Sequence, residues 1–204
     1  VLFGEMVPFR YGRLRFLYLW LNSLSPFGQG GYEYSLTPGD GAETFTMRAR
    51  EGGAAYRFGV PICYEDVMPY VCRKLAWDAE LDEKRVDFLL NISNDGWFLH
   101  RNELPQHFAI CTFRAVENRV GVARTVNTGV SGFIDPDGRA HDKIGVGETA
   151  WRVARVMIDT RKSLYSRTGD LFALACAVVW ALLCVDYVLH RALAGGNAED
   201  EVTE

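Results

Sequence analysis

Apolar and polar residues alternate over residues 1–160 in patterns that predict short strands and amphipathic helices without internal repeats. Apolar runs of strand length predict strands at residues 56–63, 86–92, 120–126, 131–134 and 151–158. Helical spacing predicts one helix that has Pro69 in its first turn and a second helix over residues 104–118. Strands that alternate with helices and then continue as hairpins predict a layered α/β domain with a mixed sheet.

The same spacing predicts which side chains form the core and where the chain turns. Seven residues lie at core spacing on the two helices: Val71, Leu75, Ala76, Leu104, Phe108, Cys111 and Ala115. The sequence Asp-Pro-Asp-Gly at 135–138 predicts a tight turn. Glycine-rich residues 28–31 and 39–53 predict loops, and the first of these loops, which follows the amphipathic aromatic stretch 9–24, is predicted to be a mobile flap.

Residues 171–189 predict a membrane-spanning helix. Residues 171–185 are all apolar, and 19 helical residues rise about 28 Å, close to the thickness of a bilayer core. The alternative is a buried core helix, which rarely lacks a polar face over this length. Basic residues before the helix and acidic residues after it favour a cytoplasmic position for residue 160.

Composition and charge exclude several classes of protein. Four of the acidic residues lie among the last six residues, and without them the net charge of −4 falls to zero. The rest of the chain, which has no net charge, lacks the basic face that nucleic-acid binding requires. The five cysteines are scattered and form no CxxC pair, which argues against a disulfide scaffold and a structural zinc site. The sequence predicts no metal and no cofactor.

Cys63 is the candidate nucleophile because it lies where a buried strand is predicted to end and a helix to begin. A helix N-terminus favours the thiolate, and its free N–H groups, notably that of Tyr64, can bind an oxyanion. Glu65 and Asp66 place carboxylates beside the sulfur. The alternative is a buried structural cysteine, a common role for free cysteines and the one predicted for Cys72, Cys111, Cys176 and Cys184.

His107 offers a different chemistry for the same cysteine. A histidine that accepts the thiol proton would make the chain a thiol hydrolase of the Cys–His type. The alternative for a histidine on a helix beside Phe108 is a structural residue with both ring nitrogens paired.

Several motifs together resemble the bacterial apolipoprotein N-acyltransferases of the nitrilase superfamily. They are Phe-Gly-Glu-Met-Val-Pro (3–8), Gly-Val-Pro-Ile-Cys-Tyr-Glu-Asp (59–66), Asn-Ile-Ser-Asn-Asp-Gly-Trp-Phe (91–98), Pro-Gln-His-Phe (105–108), Arg-Ala-Val-Glu-Asn-Arg (114–119), Arg-Thr-Val-Asn-Thr-Gly-Val-Ser (124–131) and Tyr-Ser-Arg-Thr-Gly-Asp (165–170). They follow the family's order over nearly the whole chain.

The resemblance implies a partial nitrilase-type αββα sandwich over residues 1–165, followed by one C-terminal transmembrane helix (171–189) and an acidic tail (190–204). It implies a Glu–Lys–Cys triad in which Cys63 is the nucleophile, while the lysine and the base glutamate precede Val1. Glu5 matches an additional glutamate near the thiol, and Tyr64 and Glu65 flank the nucleophile. Two aromatic residues match a loop beside the substrate pocket: Trp97 and Phe98.

The implied reaction moves an acyl chain from a phospholipid, through a cysteine thioester, to the amine of a diacylglyceryl-cysteine on a lipoprotein. It implies a multi-pass protein of the bacterial inner membrane whose catalytic domain faces the periplasm, opposite to the orientation that the charges favour. Residues 1–204 alone are expected to be inactive. The alternatives are a catalytically incomplete, membrane-tethered remnant and another carbon–nitrogen hydrolase of the superfamily.

Overall fold

The computed structural model describes residues 13–24, 39–48, 53–98 and 102–200, with side chains through residue 191. The chain divides into two units, residues 1–167 and residues 168–204, which are described separately below. The predicted glutamate at position 5 and the first motif of the resemblance lie outside the described residues.

Within its described residues, the first unit contains helices, strands and two short 3-10 turns. In chain order these are α1 (Arg15–Leu24), β1 (Thr44–Arg48), β2 (Ala55–Gly59), the first 3-10 turn (Cys63–Asp66), α2 (Pro69–Ala76), β3 (Trp77–Asp78), β4 (Glu83–Lys84), β5 (Phe88–Asn94), the second 3-10 turn (Asp95–Trp97), α3 (Glu103–Asn118), β6 (Gly121–Asn127), β7 (Ser131–Ile134), β8 (Ala140–Ile144) and α4 (Leu164–Thr168).

A mixed six-stranded sheet organises this unit, in the order β1-β2-β5-β6-β7-β8. The central strands β2, β5 and β6 are parallel, whereas β1, β7 and β8 pair antiparallel with their neighbours. The register pairs Asn91 with Arg124 and Asn94 with Asn127 across β5 and β6. Parallel strands bring their carboxyl ends to one edge of the sheet, and in open α/β sheets ligands bind at that edge.

Helices α2 and α3 supply the core of this unit together with the sheet. All seven residues predicted at core spacing on these helices are buried, and Pro69 opens α2 as predicted. All of them except Leu104 belong to one core cluster with sheet residues such as Leu89, Val122 and Ile134. The predicted turn at 135–138 forms through a hydrogen bond from Gly138 N to Asp135 O. The mixed α/β layer that the sequence predicts is confirmed.

The strand prediction at 151–158 was wrong, the one at 56–63 was too long, and four strands were missed: β1, β3, β4 and β8. Residues 151–158 form no strand, and Trp151 and Val153 are more than three-quarters exposed. Their apolar alternation fits a pleated surface, but no ladder of backbone hydrogen bonds joins them to the described sheet. Strand 56–63 ends at Gly59, and only Ile62 makes a further isolated bridge, to Ile92. β1 lies inside the predicted glycine-rich loop, and β8 was not predicted.

The second unit contains helix α5 (Leu171–Asp200). Residues Leu171–Arg191 are long and apolar enough to cross a membrane, and none of the most apolar stretch is buried within this structure. The core-helix alternative predicts buried side chains, which these residues do not have. The helix extends eleven residues beyond the predicted end at 189.

Candidate active site

Cys63 lies at the edge of the sheet where the parallel strands end. It follows β2 after a short extended segment, and its predecessor Ile62 bridges Ile92 of β5. Cys63 is partly exposed and has a φ of 52°, in the left-handed region. A non-glycine residue there carries strain of about 1–3 kcal/mol, which surrounding contacts must offset, and such strain is typical of functional sites. The backbone therefore presents the thiol at a sharp turn.

The predicted helix does not start at Cys63. The residue opens a four-residue 3-10 turn, and α2 begins only at Pro69. The expectation that an α-helix N-terminus acts directly on the thiol is therefore wrong. Contacts inside the turn hold it instead: Glu65 Oε2 accepts a hydrogen bond from Ile62 N at 2.9 Å. Glu65 is buried, and Tyr64 is 41% exposed.

A closed ring of four charged side chains lies behind this turn. His107 Nε2 is 2.8 Å from Asp66 Oδ1, and its Nδ1 is 3.0 Å from Asp95 Oδ1. Arg124 donates to Asp66 Oδ2 and, over 3.2 Å, to Asp95 Oδ2. All four side chains are at least 95% buried. Each carboxylate thus accepts from both cations through separate oxygens, an arrangement that satisfies buried charge. We call these residues the charge ring.

The geometry of the charge ring requires a protonated His107. Both ring nitrogens face carboxylate oxygens, which accept hydrogen bonds only, so both nitrogens must donate. Burial alone lowers the pKa of His107, but its hydrogen bonds to Asp66 and Asp95 outweigh burial and raise the pKa from 6.5 to about 9. Burial opposes ionisation of Asp95, yet the bonds from His107 and Ser93 lower the pKa of its carboxyl. His107 is therefore a cation at neutral pH.

The second 3-10 turn, Asp95–Trp97, holds the aromatic residues predicted to line the pocket. Asn94 Oδ1 caps this turn by accepting from Gly96 N at 3.2 Å. Trp97 is 73% exposed, and Phe98 meets the His107 ring edge-on with centroids 5.8 Å apart. The charge ring contacts this turn through Asp95 and the cysteine turn through Asp66, so it joins the two segments.

The structure therefore gathers Cys63, Tyr64 and Glu65 in one turn and links them to the turn of Trp97 and Phe98. Both ring nitrogens of His107 are paired with carboxylates, so the alternative of a Cys–His base does not form. The other two cysteines of this unit match their predicted packing role, since burial raises the pKa of the Cys111 thiol to about 12 and that of Cys72 well above its usual value.

Sequence reasoning missed Asp95, Arg124 and Asn91 as parts of this site. Asn91 accepts a hydrogen bond from Arg124 and donates to Pro61 O at 3.0 Å, just before the cysteine turn. The signal was present, because Asn91 and Arg124 interrupt the apolar runs of two predicted buried strands. Among the described residues, no cluster of three or more histidine, cysteine or acidic side chains is placed to hold a metal ion.

Comparison with protein families places this chain in a known family. The carbon-nitrogen hydrolase family matches residues 12–162, about three-quarters of the chain. The chain belongs to the carbon-nitrogen hydrolase family. This assignment and the mixed sheet agree with the nitrilase-type fold that the motifs imply. The carbon-nitrogen hydrolase match includes the cysteine turn, the second turn and the whole charge ring.

Two curated relatives show which members of this family the chain resembles. Apolipoprotein N-acyltransferase 2 of Treponema pallidum is 30% identical over 161 residues, which are 78% of this chain and 28% of the relative. Apolipoprotein N-acyltransferase of Geobacter metallireducens is 32% identical over 184 residues, which are 88% of this chain and 31% of the relative. The chain thus spans less than a third of the length of either relative.

Among solved structures, a nitrilase-superfamily amidase from Nesterenkonia AN1 matches at 20% identity with a TM-score of 0.40, covering 55% of this chain and 41% of that chain.

Proposed function

We propose that this chain is part of an apolipoprotein N-acyltransferase that transfers an acyl chain from a phospholipid to the amine of a diacylglyceryl-cysteine on a lipoprotein. The observation that supports this most strongly is the similarity to N-acyltransferases over 88% of the chain. The position of Cys63 at the carboxyl edge of the sheet and the apolar helix α5 agree with a thiol enzyme that acts on lipids.

The proposed reaction has two steps with Cys63 as the nucleophile. The thiolate attacks the ester carbonyl of the phospholipid, and the tetrahedral intermediate expels a lysophospholipid alkoxide, which takes up a proton. The resulting thioester is then attacked by the lipoprotein amine, which loses a proton as the amide forms and the thiolate is released. Splitting the transfer in this way is covalent catalysis.

The proposed roles of the neighbouring residues follow from where they lie. Tyr64 and Glu65 shape the cysteine turn, and Glu65 does so through its bond to Ile62 N. Trp97 and Phe98 contact the acyl chain and exclude water, which would hydrolyse the thioester. Glu5, outside the described residues, is proposed to lie near the thiol on the resemblance alone.

The proposed domains and location are those that the resemblance implies. Residues 1–165 form part of the catalytic domain, residues 171–189 span the bacterial inner membrane, and residues 190–204 form a cytoplasmic tail. The catalytic domain then faces the periplasm, where phospholipid and lipoprotein substrates lie in the same bilayer. Helix α5 favours this proposal over an amidase-like carbon–nitrogen hydrolase that acts on a small amide.

The proposal is tested by trapping the acyl-enzyme. The natural gene product in solubilised membranes is incubated with a phospholipid that carries a labelled acyl chain, and the label on Cys63 is read by peptide mass spectrometry. We expect a hydroxylamine-sensitive adduct that Cys63→Ala abolishes and that a diacylglyceryl-cysteine peptide discharges. Cys111→Ala is the matched control and should keep the adduct.

Three results separate the proposal from its alternatives. An adduct that persists in Cys63→Ala contradicts the nucleophile. Discharge to water but not to the peptide amine indicates a hydrolase. If a homologue is active in this assay while the natural gene product is inactive, the gene product is a non-catalytic remnant. The same assay on residues 1–204 tests the expectation that they are inactive alone.

A further inference from the structure

The charge ring lies between the two turns that carry the candidate chemistry. Asp66 is the last residue of the turn that Cys63 opens, and Asp95 is the first residue of the turn that ends at Trp97. His107 bonds to both carboxylates, and its ring also contacts Phe98 edge-on. One side chain therefore touches the cysteine turn, the aromatic turn and an aromatic residue of the proposed pocket.

The charge on His107 determines whether this link holds. With His107 protonated, the charge ring contains two cations and two anions and is neutral. If His107 loses a proton, one ring nitrogen presents a lone pair to a carboxylate oxygen within 3.0 Å, and a buried negative charge remains uncompensated. The charged and titratable groups around His107 are Asp66, Asp95, Arg124 and, on its own helix, Cys111 and Arg114.

The cysteine turn needs such support because its backbone is strained. The left-handed φ of Cys63 persists only where neighbouring contacts fix it. Glu65 and Asp66 supply these contacts, and the side chain of Asp66 is fixed in turn by His107 and Arg124.

We propose that His107, held as an imidazolium between Asp66 and Asp95, is a positioning residue that fixes the Cys63 thiol relative to the turn of Trp97 and Phe98. It neither accepts the thiol proton nor touches the substrate. This role deepens the proposed function and rests on it for its catalytic readout. Arg124 also bonds to Asp66 and Asp95 and so joins the same two turns, and the ring of His107 adds the edge-on contact with Phe98.

The test compares two reactions of Cys63 in the natural gene product. Acylation by a phospholipid requires correct positioning, whereas alkylation by iodoacetamide requires only an accessible thiolate. We expect His107→Gln to slow acylation by about 10- to 100-fold, the effect of a small misplacement of reacting groups, and to change alkylation little. In the wild type, acylation should decline above about pH 9 as His107 loses its proton, and this decline should be absent in His107→Gln.

His141→Gln is the matched control, because His141 also lies between two aspartates, Asp135 and Asp142, but is partly exposed and far along the sheet on β8. It should acylate at the wild-type rate. If His107→Gln instead speeds alkylation of Cys63 and lowers the melting temperature together with acylation, His107 only supports the fold and the positioning role is wrong. Unchanged acylation would also contradict it.

A spectroscopic measurement separates this proposal from the proposed function. Nitrogen-15 spectra of wild-type protein with labelled histidine should show both ring nitrogens of His107 protonated at pH 7.5. One unprotonated nitrogen would overturn the positioning role even if His107→Gln fails to fold. If the wild type shows the imidazolium but neither it nor His107→Gln is acylated by phospholipid, the proposed acyl donor is wrong, whereas an imidazolium together with equal acylation of the two proteins overturns the positioning role alone.

Discussion

Individual residues at this site gain their roles from backbone conformation and from charged partners more than from residue type. Cys63 stands out from the other cysteines because its turn is strained and partly exposed, whereas Cys72 and Cys111 are buried with raised pKa values. His107 and His141 each lie between two aspartates, but they differ in exposure. Burial between two carboxylates holds the ring of His107 as a cation, whereas His141 is partly exposed. The protonation of His107 therefore predicts a free energy of unfolding that depends on pH.

We expect His107 to stabilise the fold below pH 6.5 and to lose that contribution as the pH rises through about 9. The folded pKa is higher than the unfolded one, so the native state holds the extra proton in this window and stability falls with rising pH. The shift corresponds to about 3 kcal/mol. Urea unfolding at pH 6 and pH 9 checks this, and His107→Gln should show a weaker decline than His141→Gln. Equal declines would contradict the protonated charge ring.

At the scale of elements, the parallel strands β2, β5 and β6 explain why distant motifs meet. Cys63 follows β2, Asp95 follows β5, and Arg124 lies on β6. Because these strands are parallel and adjacent, the three residues lie toward the same edge of the sheet. Their apolar runs predicted these strands to within a few residues, and the spacing of α2 and α3 predicted the core. The charge ring was not predictable in the same way, because its contacts join residues up to 58 positions apart and depend on strand order, which periodicity does not report.

Gly129, in the turn between β6 and β7, is predicted to be essential for the charge ring. A methyl group added there would lie 2.3 Å from Asp95 Oδ2 and 3.1 Å from its Cβ, and Asp95 cannot move away because His107 and Arg124 hold it. We expect Gly129→Ala to destabilise the fold by about 1–3 kcal/mol, as overpacking does. Gly41→Ala is the control, since nothing lies within 4 Å of its added methyl. Similar melting temperatures for the two variants would show that Asp95 is free to shift.

At the scale of the whole molecule, the chain combines an α/β unit and one apolar helix that were both predicted from the sequence, for different physical reasons. Residues 171–185 were recognised from composition alone, because any helix this apolar needs an apolar environment. The α/β unit was recognised from periodicity, which fails where an apolar alternation lacks a partner strand, as at residues 151–158. Motif resemblance supplied the proposal that Cys63 is the nucleophile, whereas periodicity alone left it open between a catalytic and a structural cysteine.

Helix α5 is predicted to hold residues 1–204 in a membrane. Ending the chain after Asp170 should move the protein from the carbonate-washed membrane pellet toward the supernatant, because it removes all of Leu171–Arg191. Ending it after Arg191 is the matched control: it removes only the acidic tail and should leave the protein in the pellet. A third variant, Val179→Arg, places a charge near the centre of the span at a cost of about 2.5–3.5 kcal/mol and should reduce the pellet fraction. If the chain that ends at Asp170 stays in the pellet as fully as the one that ends at Arg191, α5 is not the segment that anchors this protein.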